Sequence, residues 1–456
     1  MKRRQVVAVL AVAPLLAAAA CGGSGGSSGS PSSGATFNAK PKGTLNAWAF
    51  DSADDVGKAR MKYADEQLKK QNVTVKYDQT AFNAQKFTTR LASGNVPDIV
   101  QMDRQYVATY AAQNLIMPLD QCFSAHKVDP KTVWYPSVLG DVTYKGKIWA
   151  VPQFYQPTAI ILNKKVMDAA GVTSDQIDTS KPDVLLAAIK KMYKQKGNVP
   201  STLGFDPQPT GQWQMWMLGL GGQIVDKNGK PTLDNPNNVY PLEMLKKITD
   251  AQGGYAKLKS FTDSFDFFGD NNQYVKNQVG AEVDAQWYPN VLSPFKNKIS
   301  IETVPFKDKN GKPVTYAGGT SFAIPTKAKN KSAACAWAIT VTSQADWMAA
   351  GKARADTIAK NGGVNTGLFT GSPGPDKEIK SKYVKSSGNP GFDQTINAYY
   401  DIVGDGITMG ASPAGQQIQT EMNNAIASAL LGKKSPKQAL ADAQRGALRA
   451  YNNVVH

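Results

Sequence analysis

Leu91-Ala92-Ser93-Gly94-Asn95-Val96-Pro97-Asp98-Ile99-Val100-Gln101-Met102 holds, in one short span, the end of a helix, a turn and a strand. Lys86 to Ala92 reads as helix, Ser93-Gly94-Asn95 stops it, and Pro97 keeps it from resuming. Asp98 to Met102 is an apolar run bounded by turn residues, which predicts a buried strand. The same rhythm extends to both sides. Thr44 to Phe50 follows Pro41 and Gly43 as a first strand, and Val56 to Lys70 places Val56, Ala59, Tyr63 and Leu68 at helical spacing. Val73 to Tyr77 alternates as a second strand, and Tyr106 to Gln113 forms a further helix. Strands and helices in alternation predict an α/β fold with a mostly parallel sheet covered by helices. Ligands of such sheets bind beyond the carboxyl ends of the strands, here the loops near Phe50-Asp51, Gln79-Thr80 and Met102-Asp103-Arg104.

The chain has 456 residues, of which 41% are hydrophobic and 19% charged. That is enough for two or three domains with a sizeable core, and it lies outside the disordered range. Two histidines, His126 and His456, exclude a multi-histidine metal site, and three cysteines exclude a disulfide-dense scaffold. No metal and no cofactor is expected. Beyond Met1–Ala20 no apolar run approaches the roughly 20 residues that a membrane helix needs. The formal charge is +16, or +13 once Lys2, Arg3 and Arg4 are removed. Lysines are scattered in pairs such as Lys69-Lys70, Lys190-Lys191 and Lys246-Lys247, with no basic run interleaved with aromatics. The charge therefore reads as a solvated surface attracted to anionic membranes or wall polymers, and not as a nucleic-acid site.

Met1 to Ala20 is an address: three basic residues, the apolar Val6 to Leu16, then Ala17-Ala18-Ala19-Ala20 before Cys21. It resembles the bacterial lipoprotein signal, in which this cysteine is acylated, although Ala18 stands where that signal usually has leucine. Ordinary signal cleavage with an incidental cysteine is the alternative. Residues 21–43 continue as a tether, nearly all Gly and Ser from Gly22 to Gly34. Two G-x-S-x-G matches within it lack the strand and helix that a nucleophile elbow requires. The string DKNGKP occurs twice, at Asp226 and at Asp308, each with an Asn-Gly turn signal.

Several motifs in order carry a family resemblance. Residues 91–99 followed by Asn114 to Leu119, Tyr144 to Pro152 followed by Ile161-Leu162-Asn163-Lys164, Gly318 to Pro325, and Glu421 to Leu448 resemble signature segments of bacterial extracellular solute-binding proteins of family 1. These are the sugar-type receptors of ABC importers. The resemblance implies a two-lobed periplasmic-binding-protein-like (type II) fold with a hinged interdomain cleft. It places one lobe at 44–152 plus 318–361 and the other at 153–317 plus 362–456, with crossovers near Val151–Tyr155, Tyr316–Gly318 and Gly362-Gly363. Implied partners are a carbohydrate ligand, the permease subunits, and a membrane reached through lipid on Cys21. The expected state is an extracytoplasmic monomer. Cys122 and Cys335 fall in the same lobe, either as a disulfide or as two free thiols.

Sugars need flat aromatic platforms for C–H faces and fixed polar partners for hydroxyls. Trp213 and Trp216, three apart in one helix, are platform candidates unless they form a core stripe; Trp287 and Trp48 are further candidates. Tyr155 and Gln156 lie just past a crossover. Asp51, Asp103 and Asp284 offer carboxylates, Arg354 a guanidinium, and Gly318-Gly319 a backbone that a ligand can approach closely. Two rival readings are a non-sugar solute such as a phosphorylated polyol, in which Arg354 gains weight, and a secreted glycoside hydrolase with paired carboxylates such as Asp51 and Asp284.

Overall fold

Helix Asp55–Lys69 begins at Asp54, whose side chain accepts the Gly57 N–H at 2.8 Å. It packs beside the parallel pair of strands Gly43–Trp48 and Val73–Asp78. The buried face of this helix runs through Val56, Arg60, Ala64 and Leu68, one residue round from the expected face, and an arginine sits at its centre. Arg60 is 1% exposed. Its guanidinium donates to Asp346 at 3.1 Å, to the Val341 carbonyl at 2.6 Å and to Gln153 at 2.8 Å, and lies 3.8 Å from the Trp347 ring centre. The guanidinium donors are met on several sides, whereas Asp346 Oδ1 has no hydrogen-bond partner and burial pushes that carboxyl up to about 8 against the pull of Arg60. The computed structural model describes residues 37–38, 40–50 and 53–455. The leader, the lipidation candidate Cys21 and Asp51 lie outside the described residues.

The first sheet has the order Val73–Asp78, Gly43–Trp48, Ile99–Asp103, Gly318–Ala323, Val151–Gln156. The first three strands run parallel, as the alternating pattern requires. Gly318–Ala323 pairs antiparallel with both of its neighbours, so four of the five strands share one direction and this strand alone runs against them. The reason is topological: the chain leaves for a second sheet and enters the first again from the opposite end. That second sheet is antiparallel, with Thr158–Asn163 between Ala281–Ala285 and Ile301–Val304. The chain passes from the first sheet to the second at Pro157 and re-enters the first at Ala317, coming from strand Pro313–Tyr316 of a third sheet shared with Phe306–Lys307 and Gly406–Ile407.

Helices Lys331–Val341 and Gln344–Asn361 pack on Asp55–Lys69, so residues far along the chain complete the first half. Helix Pro390–Ile402 packs on the second sheet, where Gln394 accepts the Thr303 N–H at 2.8 Å. The last two helices, Gly415–Leu430 and Pro436–Val455, pack on each other. Both DKNGKP strings form the expected turns. Asp226 Oδ1 accepts the N–H groups of Asn228 and Lys230, and Asp308 Oδ1 does the same for Asn310 and Lys312.

Cys122 and Cys335 form a disulfide that joins helix Asp120–Ala125 to helix Lys331–Val341 across 213 residues of sequence. Closing so long a loop restricts the unfolded chain strongly. Replacing both cysteines by serine is expected to cost about 2–5 kcal/mol of stability, read as a shift in the denaturation midpoint. Equal midpoints for the oxidised and reduced wild type would contradict this.

Candidate functional site

Beyond the carboxyl ends of the first three strands the chain leaves a cavity of about 620 Å³. Ala49, Gln79, Phe82, Asn83, Gln101, Asp103, Tyr106 and Thr320 line it. The Phe82 and Tyr106 rings lie 5.7 Å apart and form an aromatic wall. Asp103 is shared with an adjoining cavity of about 280 Å³, lined further by Gln105, Gln156, Thr158, Gln212, Gln214, Trp287 and Gly318-Gly319. The two cavities form one cleft, with residues of the first sheet on one wall and the Gln212, Gln214, Ala285 and Trp287 region on the other. Its lining is rich in carboxamides, each able to donate and to accept, and has aromatic rings on both walls.

Arg104 fixes the floor of this cleft. It is 1% exposed, and its Nη1 donates to the Phe154 carbonyl at 2.7 Å, its Nη2 to the Ala317 carbonyl, and its Nε to Asp141 at 3.4 Å. Phe154 and Ala317 belong to the two segments that pass between the sheets, so one side chain ties both to the end of strand Ile99–Asp103. Gly319 makes room for it: a Cβ there would lie 2.4 Å from Arg104 Nη1 and 2.3 Å from the Phe154 carbonyl oxygen. Burial pushes Asp141 up to about 6, against the opposing pull of Arg104.

Some sequence candidates meet in the cleft. Asp103, Gln156, Trp287, Gly318 and Gly319 all line it. Asp103 is exposed to the opening, although the surrounding walls still raise its pKa by desolvation.

The others are corrected. Trp213 and Trp216 are fully buried: their indole N–H groups bond Gln419 at 3.1 Å and the Pro207 carbonyl at 2.7 Å, and Trp216 packs edge-on to Phe306. Their shared face is the core stripe, and the neighbouring Gln212 and Gln214 reach the cleft instead. Trp48 lies under the cleft and not in it, packed among Phe82, Phe87 and the Arg90 guanidinium. Tyr155 is buried because its strand points it inward against Tyr135, while the next residue, Gln156, points to the cleft. Arg354 is held in a helix-to-helix clamp with Asp54 and Asp55, both at 2.8 Å, and has no cleft contact. Phe82, Tyr106, Arg104 and the amides other than Gln156 are not among the sequence candidates. The strand-end rule points to the loops of Gln79 and Arg104 and lies close to Phe82, Gln105 and Tyr106, but it gives no sign of Gln212 and Gln214 on the opposite wall.

Residues 51–355 match the family model described as bacterial extracellular solute-binding protein. The chain is 25% identical over 296 residues to an arabinooligosaccharide-binding protein of Bacillus subtilis (strain 168), covering 63% of this chain and 66% of the relative. It is 22% identical over 346 residues to the diacetylchitobiose binding protein DasA of Streptomyces coelicolor, covering 73% and 76%. The solved structure of CpMnBP1 with mannotriose bound shares the fold at a TM-score of 0.71 and 23% identity, over 89% of this chain and 99% of that one.

Asp284 lies behind the cleft wall, in a buried cluster with Asp206 and Glu282. Gln208 Nε2 donates to Glu282 at 3.1 Å and to Asp284 at 3.2 Å, and Gln273 Nε2 donates to Glu282 at 2.9 Å. The donors that hold the cluster are neutral amides. Burial raises Asp206 to about 6 and Asp284 to about 7, and raises Glu282 well above the ordinary range with help from its two neighbours. These groups are raised in the fold, so they favour folding fully below the unfolded carboxyl value of about 4. That contribution is lost as pH climbs through about 6 to 7. Melting temperature is therefore expected to fall between pH 5 and pH 8, and Asp284→Asn to flatten the fall; a melting temperature that rises over this interval would refute a protonated cluster.

Proposed function

The chain belongs to the bacterial extracellular solute-binding proteins, and on that footing we propose that it is the substrate-binding lipoprotein of an ABC importer, capturing a sugar or oligosaccharide in its cleft and delivering it to a membrane permease. The observation that carries this reading is the chemistry of the lining. Gln79, Asn83, Gln101, Gln105, Gln156, Gln212 and Gln214 supply fixed donors and acceptors, while Phe82, Tyr106 and Trp287 supply rings. Hydroxyls on a ring rim and C–H groups on its faces match that set.

The charged groups favour a neutral ligand. Among the described lining residues the cation is Arg104, which is buried and bonded to two backbone carbonyls and Asp141. A phosphorylated polyol would need an uncommitted cation, and Arg354 is clamped elsewhere. Hydrolysis of a glycosidic bond needs paired carboxylates; among the described lining residues Asp103 presents an exposed one, and Asp284 is buried. The names of the relatives, which bind arabino-oligosaccharide and diacetylchitobiose, support the oligosaccharide reading.

On this reading the lobes are residues 44–152 plus 318–361 and 153–317 plus 362–456; the passage at Ala317 supports the second break, while strand Val151–Gln156 carries the first sheet on to Pro157. Ligand bound to one wall favours closure only through the extra contacts it gains from the other. The permease then recognises the closed form. Lipid on Cys21 and the Gly/Ser tether would hold the receptor at the membrane.

Two measurements test this. Calorimetric titration with neutral oligosaccharides is expected to show binding that Trp287→Ala weakens about tenfold, the upper end of what one aromatic platform contributes; heat from no sugar in the panel would remove the carbohydrate claim. In cells, Cys21→Ser is expected to shift the protein from the membrane to the soluble fraction, and unchanged membrane retention would remove the anchor.

A further inference from the structure

Phe268 is 73% exposed, the one aromatic among the exposed large hydrophobic residues described; the others are Val184, Val199, Leu431 and Val455. An exposed phenylalanine is common enough singly, but this one is held in a built position. Its loop is a turn closed by Asp266, whose carbonyl accepts the Gly269 N–H at 2.9 Å and whose carboxylate accepts the Asn271 N–H at 3.0 Å. Gly269 is needed there, since a Cβ would meet the Asp266 carboxylate at 2.1 Å. The preceding residue, Phe267, stacks on Tyr288 with centroids 4.3 Å apart, and the Tyr288 hydroxyl donates to the Phe267 carbonyl at 3.2 Å. Phe267 in turn holds Phe268 edge-on at 5.1 Å. The loop is anchored, and its one unpaired apolar face points outward.

That ring stands beside one already placed in the cleft. The Phe268 and Trp287 rings are nearly parallel, 18° apart, with centroids 6.0 Å from each other. Trp287 lines the cleft, whereas Phe268 stands outside its lining, one ring further toward solvent. A single sugar stacked on Trp287 has no reason to reach Phe268. A chain that leaves the cleft along the Trp287 face passes over it.

We infer that Phe268 is an outer stacking platform that gives the cleft its preference for oligosaccharides over monosaccharides, read through the ring-stacking geometry of Phe268 on Trp287. The inference rests on the carbohydrate reading above and extends it to ligand length. Phe268 acts on specificity by adding contact area only for rings beyond the first. Its contribution appears as affinity that rises with chain length.

The experiment titrates the full chain and its variants with mono-, di-, tri- and tetrasaccharides of the manno-, arabino- and N-acetylchito- series. Phe268→Ala is expected to lower the ratio of long-chain to short-chain affinity roughly three- to tenfold, the span of one stacking contact. Phe268→Tyr keeps a flat ring and is expected to retain the ratio. Asp266→Ala loosens the turn without removing the ring and is expected to give a smaller fall of the same kind. A ratio unchanged in Phe268→Ala, with wild-type binding intact, overturns the Phe268 assignment alone, including the case in which the ring serves a protein partner. Wild-type protein that binds no member of any series overturns the carbohydrate reading and this inference with it.

Discussion

Everything about the cleft depends on the Arg104 guanidinium. A planar fork with donors on several edges suits a site where two backbone segments must be held side by side. Here it reaches the carbonyls of Phe154 and Ala317, one on each passage between the sheets, while Asp141 balances its charge. The neighbourhood is fitted to it: Gly319 lacks the atom that would collide with it, and Phe154 adopts a left-handed φ of 53°, which a phenylalanine rarely does. Strain of that kind persists only where surrounding contacts over-determine it. The cleft floor is thus built from backbone carbonyls and one buried cation, which leaves the walls free to carry neutral groups.

The local signals in the sequence were read correctly where they rest on backbone chemistry. The Ser93-Gly94-Asn95 stop with Pro97 beyond it, the two DKNGKP turns and the alternation of strand and helix all appear as expected, with ends shifted by a residue or two. What failed were statements about which way a side chain points. Helical spacing placed Trp213 and Trp216 on one face but gave no sign for that face, and burial took it inward. Arg354 reads from sequence as a surface or ligand group because its partners, Asp54 and Asp55, lie roughly 300 positions away, and the same distance hides the pairing of Arg60 with Asp346. Long-range pairing of charges has no local signature. The antiparallel return of Gly318–Ala323 was hidden for the same reason, since strand direction is set by where the chain comes from.

The interior treats charge differently in its two sheets. Around the first, buried arginines meet buried aspartates: Arg60 with Asp346, and Arg104 with Asp141. Behind the second, Asp206, Glu282 and Asp284 meet Gln208 and Gln273. A buried carboxylate without a cation is cheaper neutral than ionised, which holds Asp206 up to about 6, Asp284 up to about 7 and Glu282 well above the ordinary range. The second sheet is thus backed by acids held by neutral amide donors, and the first by carboxyls that face arginines.

Two ties bound the freedom of the passages between sheets. On the first-sheet side Arg104 holds Phe154 and Ala317; on the second-sheet side the Thr315 hydroxyl accepts the Thr158 N–H at 2.6 Å and donates to the Thr158 carbonyl at 2.9 Å. Between them lie only Tyr155-Gln156-Pro157 on one strand and Tyr316 on the other. Pro157 has a fixed φ and no N–H to bond, and Gln156 and Tyr316 both face the cleft. On the proposed reading, closure would turn torsions within these few residues, two of which line the cleft. A ligand bonded to Gln156 would then act directly on one of the segments that turn, so that occupancy and closure would be coupled at the same backbone.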